Sequence, residues 1–390
     1  MFDFVTAGES HGKALVAILS GLPLGLEIDF DFINHDLRRR QSGYGRGGRM
    51  KIESDKIGVI SGIRFGKTIG SPVAILVENR DWTNWQEPMS VDSRDIPRDK
   101  RKEVTKPRPG HADLAGALKH NTKDIRNILE RSSARETTAR VAVGGFAKIL
   151  LRHFGIEIAS HTISIGEVVL PTDLEYRFED VAAIRDNTEL RCVDAATENR
   201  MVEVIKSAHM SGDTVGGAFE VMAHGLFPGL GSHTAWDRKL DGLLAQAIMS
   251  INAVKAVSVG AGERGSTMLG SHLHDEIFYA REQGGFFRGS NNAGGIEGGM
   301  SNGCDIVVRG YVKPIPTLRK PLKSVDILSK QAFDAAYERS DTCVVPAAGV
   351  VGEAMVAITL ARSFLEKIGG DSLDEVQRNY RGYLEQLANF

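Results

Sequence analysis

The sequence predicts a mixed α/β fold in one continuous body, on three observations. Strand-like and helical patterns alternate along the 390 residues, no Pro/Ser-rich or charge-rich stretch separates two halves, and 42% of the residues are apolar. That is enough for a sizeable core, and a single domain over residues 1–390 is expected. Gly contributes 43 residues, about one in nine, while Pro stays at 12. Roughly 7% Gly is usual, disorder raises Gly and Pro together, and collagen places Gly at every third position. The surplus therefore marks local demands on the backbone.

In chain order, the spacing predicts a helix over 32–41, then strands over 57–63 and 73–77 where β-branched residues dominate. Helices are expected over 114–129 and 135–153. A strand follows over 156–165, carried by Ile156, Ile158, Thr162, Ile163 and Ile165, and a helix over 198–209. Leu240, Leu243, Leu244, Ala247, Ile248 and Ile251 recur at helical spacing, behind a capping box expected at Thr234 and Asp237. Residues 254–259 and 305–312 read as strands, 353–368 and 373–387 as helices. The most apolar run, 344–361, is interrupted by Pro346, Gly349, Gly352 and Glu353, which suits a buried helix better than a membrane span.

Several classes are disfavoured. A formal net charge of -2 argues against long-range attraction to nucleic acid or anionic membrane. The opening Met1-Phe-Asp-Phe-Val-Thr has neither a basic start nor an apolar core, so no signal peptide is expected. Cys192, Cys304 and Cys343 are odd in number and too far apart for a zinc pair. His272, His274 and Asp275 lack a further ligand at suitable spacing, so no metal site is expected. A reduced, cytoplasmic protein is the default.

The Gly surplus is concentrated. Residues 284–303 hold eight glycines and 41–48 hold four. Such loops let backbone N–H groups approach an anion or a flat ring, since no Cβ holds the ligand off, although ordinary turns use Gly too. Two segments match G-x-G-x-x-G, at Gly43 and Gly260. The first follows a helix rather than a strand, and Gly270 interrupts the helix that should follow the second, so neither is a dinucleotide fingerprint.

Residues 38–51 carry six cations and no acid. Their self-repulsion calls for an anionic neighbour, and Arg grips phosphate or carboxylate through its planar fork. RNA binding, with Tyr44 as a stacking platform, is the alternative reading. A second anion site is suggested where Arg131 and Arg135 flank Ser133, which has capping-box spacing to Glu136. His11 and His111 sit in turn-like contexts, available for proton exchange near neutrality. Lys313 stands beside two prolines, and Arg339 lies two residues from Asp341.

Nine segments then carry a resemblance over nearly the whole chain: GESHG (8–12), RRRQSGYGRGGRM (38–50), KPRPGHAD (106–113), RSSARETTARVAVGG (131–145), SGDTVGG (211–217), SINAVKAV (250–257), NNAGGIEGGMSNG (291–303), KPIPTL (313–318) and RSDTCVVPAAGVVGEAM (339–355). In this order they resemble the chorismate synthase family, of the monofunctional bacterial type. The resemblance implies an α+β fold with helices sandwiched between two antiparallel sheets, assembled as a homotetramer. It implies a carbon–oxygen lyase that converts 5-enolpyruvylshikimate-3-phosphate to chorismate and phosphate by 1,4-anti elimination, using reduced FMN without net redox change.

By the same resemblance, His11 matches the proton donor to the leaving phosphate, His111 the histidine near flavin N1, and Asp341 the acceptor of a proton from flavin N5. Arg40, Arg46, Arg49 and Arg135 match positions that hold substrate. Arg131, Ser132, Ser133, Asn252, Ala253, Gly298, Lys313, Pro314, Ile315, Pro316, Thr317 and Arg339 match the cofactor bed. Glu263 and Arg264 stand where relatives commonly have an aromatic. No extra module for reducing flavin with NADPH is present, so an external flavin reductase is implied as electron source. A flavin-dependent oxidoreductase using the same bed is the competing enzyme class.

Overall fold

The computed structural model describes residues 2–46, 55–92, 96–184, 187–283, 285–335 and 341–390. Two antiparallel sheets enclose a double layer of helices. The first sheet runs Asp3–Ala7, Ala14–Ser20, Val73–Glu78, Ile57–Ser61. The second runs Val254–Val259, Ile306–Val312, Gly217–His224, Glu157–Ile165, Val168–Val169. The helices Phe30–Gln41 and Thr137–His153 lie toward the first sheet, and Val345–Ile368 packs on both of them and on the second sheet. The sandwich implied by the resemblance is the observed architecture.

Small residues set the spacing of the layers. A Cβ at Gly144 would lie 2.3 Å from the Ala354 Cβ and 2.5 Å from its Cα, so the two central helices touch backbone to backbone. A Cβ at Gly352 would meet the Phe219 ring at 2.6 Å, bringing the Val345–Ile368 helix onto the second sheet. One connected apolar cluster runs from Phe2 to Val376. The Val345–Ile368 helix is long and apolar enough to cross a membrane by composition, yet 89% of its most apolar stretch is buried inside the protein.

Within this double layer sits a closed set of charges. Arg39 pairs with Glu353 through both terminal nitrogens at 2.7 Å and with Asp36 at 2.9 Å. Lys148 Nζ reaches Asp36 at 2.6 Å and Glu353 at 2.5 Å, and the Ser160 hydroxyl donates to Glu353 at 2.7 Å. Two cations and two carboxylates cancel, which is the condition for burying them together.

Several sequence expectations need correction. The helix expected over 114–129 is two, Asp113–His120 and Arg126–Ser132, separated where Asn121 adopts a left-handed conformation (φ 50°). The helix expected from 353 begins at Val345, with Pro346 in its first turn where a missing N–H costs nothing. The strand expected over 57–63 stops at Ser61. The capping box at Thr234 does not form: its N–H and hydroxyl turn to Ser232, and Leu240–Met249 starts after Lys239 with no side-chain cap. The helix after Ser133 opens as a 3-10 turn, Ala134–Glu136, before Thr137–His153. The strands Asp3–Ala7, Ala14–Ser20 and Gly217–His224 had no sequence assignment. Gly217–His224 is buried on both faces, and Ala14–Ser20 carries Val16 and the exposed Ile18 on its outer face, so neither sequence shows the apolar/polar alternation that marks a strand.

Candidate active site

The turn between the first two strands presents His11. Gly8 (φ 103°) lets it close, since a Cβ there would lie 2.4 Å from the Ala14 carbonyl oxygen. Glu130, on the Arg126–Ser132 helix, accepts the His11 backbone N–H at 2.8 Å and lies 2.9 Å from its Nδ1. Trp85 stacks on the His11 ring at 3.8 Å. Burial alone would raise the Glu130 carboxyl, but His11 and Arg126 outweigh it and hold the group below the ordinary carboxylate range.

His111 has a parallel arrangement. Its Nδ1 meets Asp113 at 2.5 Å, and Arg108 donates to the same carboxylate at 2.9 Å from Nε and 3.0 Å from its backbone N–H. Burial again pushes the Asp113 carboxyl up, and the hydrogen bonds from His111 and Arg108 more than reverse it, leaving the group far below its usual range.

One run of hydrogen bonds joins most of the sequence candidates. Arg131 donates to the carbonyls of Gly8 and Thr6 at 3.0 and 2.9 Å, beside His11. Asn252 donates to the Ser132 carbonyl at 3.1 Å, and the Lys313 backbone N–H to that of Ala253 at 2.9 Å. Lys313 Nζ reaches the Gly110 carbonyl at 2.6 Å, next to His111. Thr214 donates to the Ile315 carbonyl at 2.8 Å, and Val215 N–H to that of Thr342 at 3.0 Å. Thr317 and Asp341 line one small cleft with His209 and Thr342. Ala253, one of few described non-Gly residues with positive φ (70°), turns the chain between Asn252, which bonds Ser132, and its own carbonyl, which accepts the Lys313 N–H.

The arginines divide. Arg40 donates to Thr137 Oγ1 at 2.9 Å and to the Ala134 carbonyl at 2.8 Å, while Arg135 pairs with Asp55 at 2.7 Å. Arg46 Nη1 lies 2.7 Å from Asp341 Oδ2. Arg39 is committed to the buried charges described above. Part of the anionic company that the basic stretch requires is thus supplied by Asp36, Asp55, Asp341 and Glu353 of the chain itself. Arg49 and Arg339 lie outside the described residues.

The glycine-rich segment divides too. Gly260 and Gly294 meet backbone to backbone, and Gly295 abuts the Asp305 carbonyl, so these serve the fold. Asp275 anchors the segment by accepting from Ser290 Oγ and the N–H groups of Asn292 and Ala293. Among the described residues no group of three or more His, Cys, Asp or Glu is placed to hold a metal. Gly298 differs from its neighbours: a side chain there would meet nothing within 4 Å. It lies in a turn near the start of the Leu240–Met249 helix, and Asn252 follows the end of that helix. The hydrogen-bonded run does not include it.

A sequence model of chorismate synthase matches residues 2–365. The chain belongs to the chorismate synthase family. It is 58% identical to the chorismate synthase of Solibacter usitatus and 54% identical to that of Geobacter sulfurreducens, each over the full length of both chains. A crystal structure of a chorismate synthase superposes with a TM-score of 0.81 at 41% identity, covering 100% of this chain and 99% of the other. As a member of this family the protein is a lyase.

Within this chorismate synthase framework, the site contains residues that sequence reasoning missed. Glu130 reads as the end of a helix, and Trp85 and Asp55 lie far from their partners in sequence. Only Asp113 carried a local signal, two residues from His111.

Proposed function

We propose that the chain, acting as one unit over residues 1–390, eliminates phosphate from 5-enolpyruvylshikimate-3-phosphate to give chorismate, with reduced FMN as cofactor. The observation that supports this reading is the gathering of two carboxylate-held histidines, the Arg46–Asp341 pair and the donors of the cofactor bed along one hydrogen-bonded run. The bed fits such a group. Lys313, Arg131, Ser132, Ser133 and Asn252 offer the donors an anionic ribityl phosphate and ring require, and Gly298 leaves backbone open. Pro314 and Pro316 stiffen the strap between Lys313 and Thr317. Arg339 joins this bed by the family resemblance.

Reduced flavin, held by these residues, would supply the electron density that weakens the allylic carbon–oxygen bond and a group able to receive the C6 hydrogen. The protein does the rest. Arg40, Arg46, Arg49 and Arg135 hold the phosphate and carboxylates of the substrate, and His11 donates a proton at Nε2 to the departing phosphate oxygen. His111, fixed by Asp113 and next to Gly110, which accepts from Lys313, would face the bound cofactor. Asp341 accepts the proton that must leave the site before the next turnover. Fixed charges around these groups stabilise the charge that develops as phosphate leaves.

We propose further that the protein works in the cytoplasm as a homotetramer, with flavin reduced elsewhere by an external reductase. The deciding experiment is anaerobic phosphate release from enolpyruvylshikimate phosphate with dithionite-reduced FMN against oxidised FMN. Release only with reduced flavin, used catalytically, is expected. Equal rates with both states would overturn the reading, and stoichiometric flavin consumption would mark an oxidoreductase.

A further inference from the structure

We infer that Glu130 is the positioning residue of the proton donor: it occupies the His11 Nδ1–H and leaves Nε2 as the atom that carries the transferred proton. The inference rests on the donor role proposed for His11 and goes beyond it. One carboxylate serves one residue twice, Oε2 accepting the His11 backbone N–H at 2.8 Å and Oε1 lying 2.9 Å from the ring nitrogen. The Glu130 side chain is 3% exposed and that of His11 14%, so the carboxylate is sealed behind a ring that still reaches solvent. The Glu130 carbonyl also accepts the Ser10 N–H at 2.9 Å, tying the whole turn to the helix.

The remaining freedom of the ring is rotation about its own bonds, and Trp85 limits it. Its ring stacks on His11 at 3.8 Å and 25°, and its Nε1 donates to Asp81 at 2.9 Å. The charged groups around this assembly are Arg126, 3.2 Å from Glu130 Oε1, Lys102, 3.8 Å over Trp85, Asp81, which accepts from Trp85, and Glu9 in the turn itself. Among the described residues Nε2 makes no hydrogen bond.

A carboxylate only accepts, so the Nδ1 facing it carries hydrogen in both protonation states of the ring. In the donor step the Nε2–H bond breaks as an O–H bond forms on the phosphate oxygen whose bond to carbon is breaking. The imidazolium becomes neutral imidazole, keeps Nδ1–H on Glu130, and regains its Nε2 proton from solvent. A carboxylate that orients an imidazole in this way acts through it, as in hydrolase triads.

The test compares wild type, E130Q, E130D, H11A and H11A/E130Q by anaerobic phosphate release with reduced FMN, alongside NMR of ring-labelled histidine in the flavin-free protein. E130Q is expected to lower kcat by roughly 10²-fold with KM nearly unchanged, as for other groups that orient a functional histidine. H11A/E130Q should be no slower than H11A, and the neutral His11 of wild type should be the Nδ1–H form. E130D should retain part of the activity. An equal loss from E130Q in both backgrounds, or an Nε2–H form in wild type, overturns the inference. Full activity of H11A overturns the donor role instead, and the wild-type tautomer is read even if a variant fails to fold.

Discussion

Arg46 and Asp341 form an ion pair, with Nη1 2.7 Å from Oδ2, between the basic loop and the segment that opens the Val345–Ile368 helix. Gly45 makes the approach possible: its carbonyl accepts the Thr342 N–H at 2.8 Å, and a Cβ on it would lie 3.2 Å from that of Cys343. A residue proposed to bind substrate and one proposed to accept a proton therefore hold each other. Substrate binding must share or replace this contact.

The pair predicts a split between the two substitutions. D341N keeps the shape but cannot accept a proton, so kcat should fall by roughly 10² to 10⁴ with a smaller change in KM. R46A should act mainly on KM, because it removes a guanidinium that grips an anion. Steady-state phosphate release over a range of substrate concentrations reads both. A change in KM alone for D341N would remove the proton-acceptor role.

The His111–Asp113 contact predicts a pH dependence of stability. Asp113 is depressed in the folded chain, so its contribution is present above the ordinary carboxylate value of about 4 and fades as pH falls through the lower folded value. The stability difference between wild type and D113N should stay level between pH 7 and 5 and shrink below about pH 4. Urea unfolding at these pH values measures it, and a difference that grew on acidification would contradict the sign.

The buried charges predict a large loss from one neutral substitution. E353Q leaves Arg39 and Lys148 with only Asp36 to balance them, and breaking such a buried set typically costs about 3–5 kcal/mol. Chemical denaturation of both proteins reports the difference. A loss below about 1 kcal/mol, the worth of an exposed pair, would mean that water reaches the cluster.

The helix crossing at Gly144 predicts that one added methyl group is harmful. Since its Cβ would lie 2.3 Å from that of Ala354, G144A must push two central helices apart, at about 1–3 kcal/mol or more. Thermal unfolding should show a lower midpoint. The same change at Gly382, where no atom lies within 4 Å, should leave stability level or raise it, since Gly is a poor helix former.

Much of the helical layer was readable along the chain, because apolar residues at a 3.6-residue period and Gly or Pro at the ends are local signals. The helix expected over 32–41 is Phe30–Gln41, and that over 373–387 is Leu373–Ala388. The strands Ala14–Ser20 and Gly217–His224 were not readable: the second is buried on both faces, and the first keeps apolar Val16 and Ile18 on its outer face, so neither sequence alternates. The family, the lyase chemistry and the candidate histidines and arginines were carried by motifs of consecutive residues. Order along the chain preserves such motifs whatever the fold.

Pairing is another matter. Glu130 finds His11 across 119 positions, Asp55 finds Arg135 across 80, and Glu353 finds Arg39 across 314. Glu353 alone carries a local sign of burial, its place in an apolar run, and no local signal names any of the three partners, which come together only when the helices close between the sheets. The glycines and the basic loop show the same division. Composition showed that the backbone was permissive and the charge concentrated. Folding assigned Gly144 and Gly294 to close packing, turned Arg39 inward to Glu353, and set Arg46 against Asp341, because burial requires each charge to find a partner within hydrogen-bonding distance.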